Sequence, residues 1–103
     1  MDNPFSIDIN RTSDSQSLII SGELIINHID LIKEQLIEVI DLSKHININV
    51  TNPSGIDITF IQVIVAIEAT YINNGLNFNM EGTLNEDMFA LVANAGFNDL
   101  FKL

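Results

Sequence analysis

The chain has 103 residues, 47 % of them apolar, and sets fourteen Asp and Glu against four Lys and Arg for a formal net charge of -10. That length suits one domain spanning 1-103, whose core must stand on packing alone, since there is no cysteine for a disulfide, a thiolate metal site or a nucleophile. The charge repels a nucleic-acid backbone and an anionic lipid surface alike, and no apolar run approaches the roughly 20 residues that cross a bilayer, so neither nucleic-acid binding nor membrane insertion is expected.

The opening Met1-Asp2-Asn3-Pro4 has neither the basic nor the apolar region of a secretory signal, so a cytoplasmic location is expected. Phe5, Ile7 and Ile9 alternate with Ser6, Asp8 and Asn10, the period of a strand with one wet face. The polar run Thr12 to Gln16 predicts a turn, and Ser17 to Ser21 a second strand that completes a hairpin and is broken by Gly22. From Asn27, Ile29, Ile32, Leu36, Ile37 and Ile40 recur at helical spacing opposite Asp30, Lys33, Glu34, Glu38 and Asp41, which predicts an amphipathic helix. His45 to Val50 alternates again, with Ile46, Ile48 and Val50 turned toward a helix layer.

Asn52-Pro53-Ser54-Gly55 has turn chemistry, and the long segment from Asp57 to Asn74, closed by Gly75 as a left-handed cap, predicts the second helix. Leu76 to Met80 reads as a fourth strand. Asn85 to Ala95 reads as a third helix with Met88, Leu91 and Val92 inward, stopped by Gly96, and Asn98 to Leu103 adds a last helical turn. Strands separated by helices imply parallel crossovers. The predicted class is therefore α/β, an open sheet of four to five strands, mixed but largely parallel, entered by an N-terminal hairpin and covered by helices.

Three stretches in this order resemble the STAS domains of bacterial anti-sigma-factor antagonists, over roughly Phe5 to Phe101. Ile20-Ser21-Gly22-Glu23-Leu24 is similar to the family's approach to its first helix. Ile56-Asp57-Ile58-Thr59-Phe60-Ile61-Gln62-Val63-Ile64 stands where the family has an Asp-Ser/Thr-Ser-Gly-Leu signature. Leu91-Val92-Ala93-Asn94-Ala95-Gly96-Phe97, followed by Leu100-Phe101, is similar to its C-terminal ending. The resemblance implies a regulatory module that docks, through the N-terminus of its second helix, onto a kinase-type anti-sigma factor or a related signalling protein. The family's phosphorylated serine falls on Thr59 and its signature aspartate on Asp57. The preceding Ser/Thr is Ile58 here, and the Gly is Phe60. A helix N-terminus accommodates a phosphate through its free N–H groups and dipole, which fits such a switch.

On a helical wheel Thr59, Gln62, Ala66, Thr70 and Asn73 form one narrow stripe, and the apolar arc around the rest is wider than one sheet covers. Either the first helix shields the excess or a partner does. The docking surface expected from this comprises Asp57, Ile58, Thr59, Phe60, Gln62, Val63 and Ala66, with Phe60 and Val63 partly exposed. Two alternatives stay open: a phosphorylation-independent STAS subunit of a lipid-transport ATPase, suggested by Ile58 and Phe60, and a small-ligand or nucleotide-binding STAS domain. The absence of Lys and Arg between Lys44 and Lys102 argues against phosphate ligands. No catalytic residue, metal site or cofactor is expected: His28 and His45 lack companions at metal-ligand spacing, and Glu34, Glu38 and Asp41 read as the wet face of the first helix.

Overall fold

The structure, a computed structural model, describes residues 4–94. Strand β1 (Phe5–Arg11) and strand β2 (Ser15–Leu24) form an antiparallel hairpin. A 3-10 turn (Ile26–His28) leads into helix α1 (Ile29–Val39), followed by β3 (His45–Thr51), the two-residue β4 (Gly55–Ile56), α2 (Ile58–Asn73), β5 (Phe78–Thr83) and α3 (Glu86–Asn94). The sheet order is β1-β2-β3-β5, with β2, β3 and β5 mutually parallel and β4 paired to the far end of β2. This is the expected mixed, largely parallel α/β sheet.

One face of the sheet carries the core. Leu18, Ile20, Leu24, Ile46, Ile48, Val50 and Met80 are buried against Ile32 and Leu36 of α1 and Phe60, Ile61, Ile64 and Tyr71 of α2. Each such side chain contributes on the order of 1.5–3 kcal/mol. The period-2 pattern places Ser6, Asp8, Asn10, Ser17, Ile19, Asn79 and Glu81 on the opposite, exposed face.

Several expected boundaries move, each for a physical reason. β2 starts two residues early because Gln16 is drawn into the interior, where its amide accepts from Asp41 N–H (3.0 Å) and donates to Asp41 O (2.7 Å) and the Tyr71 hydroxyl (2.9 Å). Gly22 bends β2 without ending it. Its φ of +99° and the approach of Phe5 Cα and Pro4 O to 2.5 Å from where a Cβ would stand admit only glycine, and beyond it Glu23 and Leu24 pair with Gly55 and Ile56.

Ile37, placed by periodicity on the inner stripe of α1, is 69 % exposed, and Leu91, expected to face inward from α3, is 42 % exposed. Met88 does pack on the core. The fourth strand begins at Phe78, two residues late, because α2 closes with a Schellman motif that uses Gly75 and Leu76: Gly75 N–H donates to Ile72 O (3.0 Å) and Leu76 N–H to Tyr71 O (2.9 Å), with Gly75 at φ +70°. Gly96 as helix stop and the last turn at Asn98 to Leu103 lie outside the described residues, as do the Val92 side chain and the Ala95 to Phe101 part of the C-terminal resemblance.

Candidate functional site

The kink at Gly22 positions everything that follows at this end of the molecule. Because β2 is redirected onto β4, Asp57 N–H reaches Leu24 O (3.2 Å) and its carboxylate sits between two elements. Oδ1 caps α2 by accepting from Thr59 N–H (3.0 Å) and from the Thr59 hydroxyl, while Oδ2 accepts from Ile26 N–H (2.8 Å). One side chain thus joins the start of α2 to the turn before α1. Partial burial pushes the Asp57 carboxyl up, but hydrogen bonds from Thr59, Ile26 and Phe60 outweigh it and hold it below the usual carboxylate range.

Of the residues expected to dock a partner, Asp57, Thr59 and Val63 are half-buried, and Ile58 (37 % exposed), Gln62 and Ala66 are exposed. Phe60 is the correction. It is wholly buried, because a residue three positions after Asp57 lies on the same face as Ile61 and Ile64 and enters the core. An aromatic side chain gains far more from that burial than from exposure beside a polar cap.

Thr59, Gln62, Val63, Ala66, Ile67 and Thr70 form one wall of a groove of about 620 Å³, and Ile29, Asp30, Lys33, Leu36, Ile37 and Ile40 form the other, with Leu42 at the far end. The first helix therefore shields only part of the apolar arc of α2. Sequence reasoning missed the α1 wall and Leu42, which is 53 % exposed. The signal available was Ile37, which lies at the edge of the apolar arc of α1, about 100° round the helix from Leu36.

The opposite end of α2 is sealed. The Tyr71 hydroxyl donates to Asp41 O (2.9 Å) and accepts from Gln16, and burial raises its pKa above the usual phenol value, with the Gln16 hydrogen bond opposing and the Asp41 charge reinforcing the shift. The Asp41 carboxylate in turn accepts from Ser43 N–H (2.9 Å) and the Ser43 hydroxyl, which lower its pKa. The histidines serve the scaffold. His28 is half-buried, with Nε2 2.8 Å from Glu23, and exposed His45 accepts at Nδ1 from Asn77 N–H (3.1 Å). Among the described residues no three His, Cys, Asp or Glu side chains gather as metal ligands, and no helix is long and apolar enough to cross a membrane.

Neither a protein-family model nor a curated protein matches the sequence. Solved structures do match the fold. The anti-sigma-factor antagonist SpoIIAA in its unphosphorylated form aligns with a TM-score of 0.71 at 9 % identity over 94 % of this chain and 86 % of that one. The phosphorylated form of SpoIIAA, a Bacillus cell-fate determinant, aligns with a TM-score of 0.63 at 10 % identity over 94 % and 89 %. A STAS-domain antisigma-factor antagonist from Rhodobacter sphaeroides gives 0.57 at 10 % identity over 74 % and 84 %. The chain has the STAS fold of these antagonists.

Proposed function

We propose that this chain, with its STAS fold, is a regulatory protein-binding module of the anti-sigma-factor-antagonist kind, which acts by docking a kinase-type anti-sigma factor or a related signalling protein and not by catalysis. The observation that carries the reading is the end of α2. There an exposed Ile58 stands beside Thr59, whose hydroxyl is tied to a capping carboxylate, and the wall that begins at Thr59 continues as an open apolar groove. Folds like this one occur in antagonists solved with and without phosphate.

Thr59 is the proposed switch. A phosphate on its Oγ1 brings about two negative charges against Asp57, which already occupies the anion position at the helix N-terminus. The Thr59 hydroxyl can no longer donate to Asp57, and repulsion loosens the bond from Asp57 to Ile26 that joins α2 to the approach of α1. The surface around Ile58 then changes both charge and shape.

The test is a photo-crosslinking residue in place of Ile58, expressed in the native host, with mass spectrometry of residues 56–68. One protein partner is expected to be trapped, Thr59→Glu is expected to reduce the yield, and phosphate is expected on Thr59. Trapping that is absent, or spread over many unrelated proteins, overturns the docking reading. A clean partner without phosphate on Thr59, bound equally by Thr59→Glu, retains the module and removes the switch, which favours the scaffold alternative.

A further inference from the structure

The chain has thirteen asparagines, and a single one of them, Asn74, is followed by glycine. Such a pair is chemically labile. The backbone nitrogen of the following residue is the nucleophile that attacks the asparagine side-chain amide, and glycine puts no side chain in its way. Asn3 and Asn52 precede proline, whose nitrogen has no hydrogen to lose, and Asn47, Asn49 and Asn79 sit in strands ahead of the buried Ile48, Val50 and Met80. Asn74 lies exposed at the C-terminal end of α2, and no described residue comes within 4 Å of where a Cβ would stand on Gly75, so solvent reaches the pair.

The fold nevertheless engages both reacting groups. Gly75 N–H donates to Ile72 O (3.0 Å), within the cap that ends α2, and Asn74 Nδ2 donates back along the helix to Thr70 O (2.7 Å). Thr70 O accepts from Asn74 N–H as well (3.2 Å). An amide tethered to Thr70 is not free to fold forward onto the nitrogen of Gly75.

We infer that Asn74 is the deamidation site of this chain, that opening of the α2 C-terminal cap gates the reaction, and that the product loosens this end of the helix. When the cap frays, the Gly75 nitrogen gives its proton to hydroxide and attacks Asn74 Cγ. The new N–Cγ bond closes a succinimide ring, the Cγ–Nδ2 bond breaks, and ammonia leaves with a proton taken back from water. Water then opens the ring at one carbonyl or the other, giving aspartate or isoaspartate. In sum, one amide and one water become one carboxylate and one ammonium, with no change of oxidation state. Either product loses the Nδ2 donor to Thr70 O and sets a negative charge beside the C-terminal carbonyls of α2, where the helix dipole repels it. Isoaspartate also lengthens the backbone between the carbonyls of Tyr71 and Ile72 and the N–H groups of Gly75 and Leu76 that cap them.

The test incubates the full chain at mildly alkaline pH, folded and in parallel unfolded in guanidinium chloride. Peptide mass spectrometry follows every asparagine, and enzymatic methylation detects isoaspartate. Asn74 is expected to convert before any other asparagine in both samples, and at least about tenfold more slowly in the folded chain. The slowing should be no smaller than the hydrogen-exchange protection of the Gly75 amide, because both processes need that N–H released from Ile72 O. Asn74→Asp carries the aspartate product directly. It should keep the circular dichroism of the fold while lowering protection at Gly75 and Leu76. Earlier conversion of another asparagine, or none at Asn74, overturns the site. Equal rates in folded and unfolded chain, or a slowing smaller than the Gly75 protection, overturn the gate. Unchanged protection in Asn74→Asp overturns the loosening.

Discussion

The two ends of α2 are both tied by polar side chains, yet they differ in kind. At the C-terminal end the buried Gln16 and Tyr71 exchange hydrogen bonds with each other and with the backbone of the half-buried Asp41, and among the described residues no buried side-chain donor or acceptor is left without a partner. At the N-terminal end Asp57 and Thr59 are half-buried, with an exposed Ile58 beside them and an open groove below. A closed polar network is costly to disturb, because every lost partner leaves a desolvated group behind. A half-open one can exchange its partners with water, so it is the end that can be rewritten by a phosphate or covered by another protein.

The sharpest way to break this contrast is Phe60, which adjoins the proposed switch residue Thr59 in sequence but belongs to the core. Phe60→Asp is expected to prevent folding, and Phe60→Ala to lower stability by about 3–5 kcal/mol in denaturant titration. Retention of a native fold by Phe60→Asp would return this residue to the docking surface. Gly22→Ala comes next. Its Cβ would meet the Phe5 and Pro4 backbone at 2.5 Å, at a φ of +99°, so a loss of at least about 1–3 kcal/mol is expected, together with loosening of the α2 N-terminus in hydrogen exchange.

At the sealed end, Tyr71→Phe should cost about 0.5–1.5 kcal/mol, because two hydrogen bonds of the hydroxyl are lost while Gln16 and the Asp41 carbonyl keep each other as partners. It should also alter the alkaline limb. The Tyr71 pKa is raised in the folded state, so the stability linked to its proton is fully present below pH 10 and is lost as the pH rises through the higher folded value; the phenylalanine variant lacks that fall.

At the open end, Asp57→Asn keeps the cap on Thr59 but puts an amide NH2 where Oδ2 accepts from Ile26 N–H, with an expected loss of about 1 kcal/mol. Here the sign is reversed. The Asp57 pKa is lowered, so its contribution is present above the unfolded value and is lost as the pH falls through the folded one, and acid unfolding of Asp57→Asn should be flatter in that range. The smallest effect belongs to Ile37→Ser, within about 0.5 kcal/mol by thermal melt because Ile37 is largely exposed. A large loss of stability there would mean that Ile37 belongs to the core.

Much of this molecule was legible in the chain because the relevant forces are local. Alternation in His45 to Val50 marked the buried face of β3, Asp57 and Gly75 bounded α2 through capping and left-handed geometry, and the order of elements dictated parallel crossovers. Tertiary structure alone decided which of two neighbouring apolar residues is inside. Leu36 is buried and the adjacent Ile37 is not, and Phe60 is buried where Ile58, two positions before it, is not, because the tilt of each helix on the sheet, and not its periodicity, sets the centre of the buried arc. The same holds for the polar links: Gln16 to Tyr71 and Asp57 to Ile26 join residues 55 and 31 positions apart, and a pairing over that distance exists only once the sheet has brought the elements together.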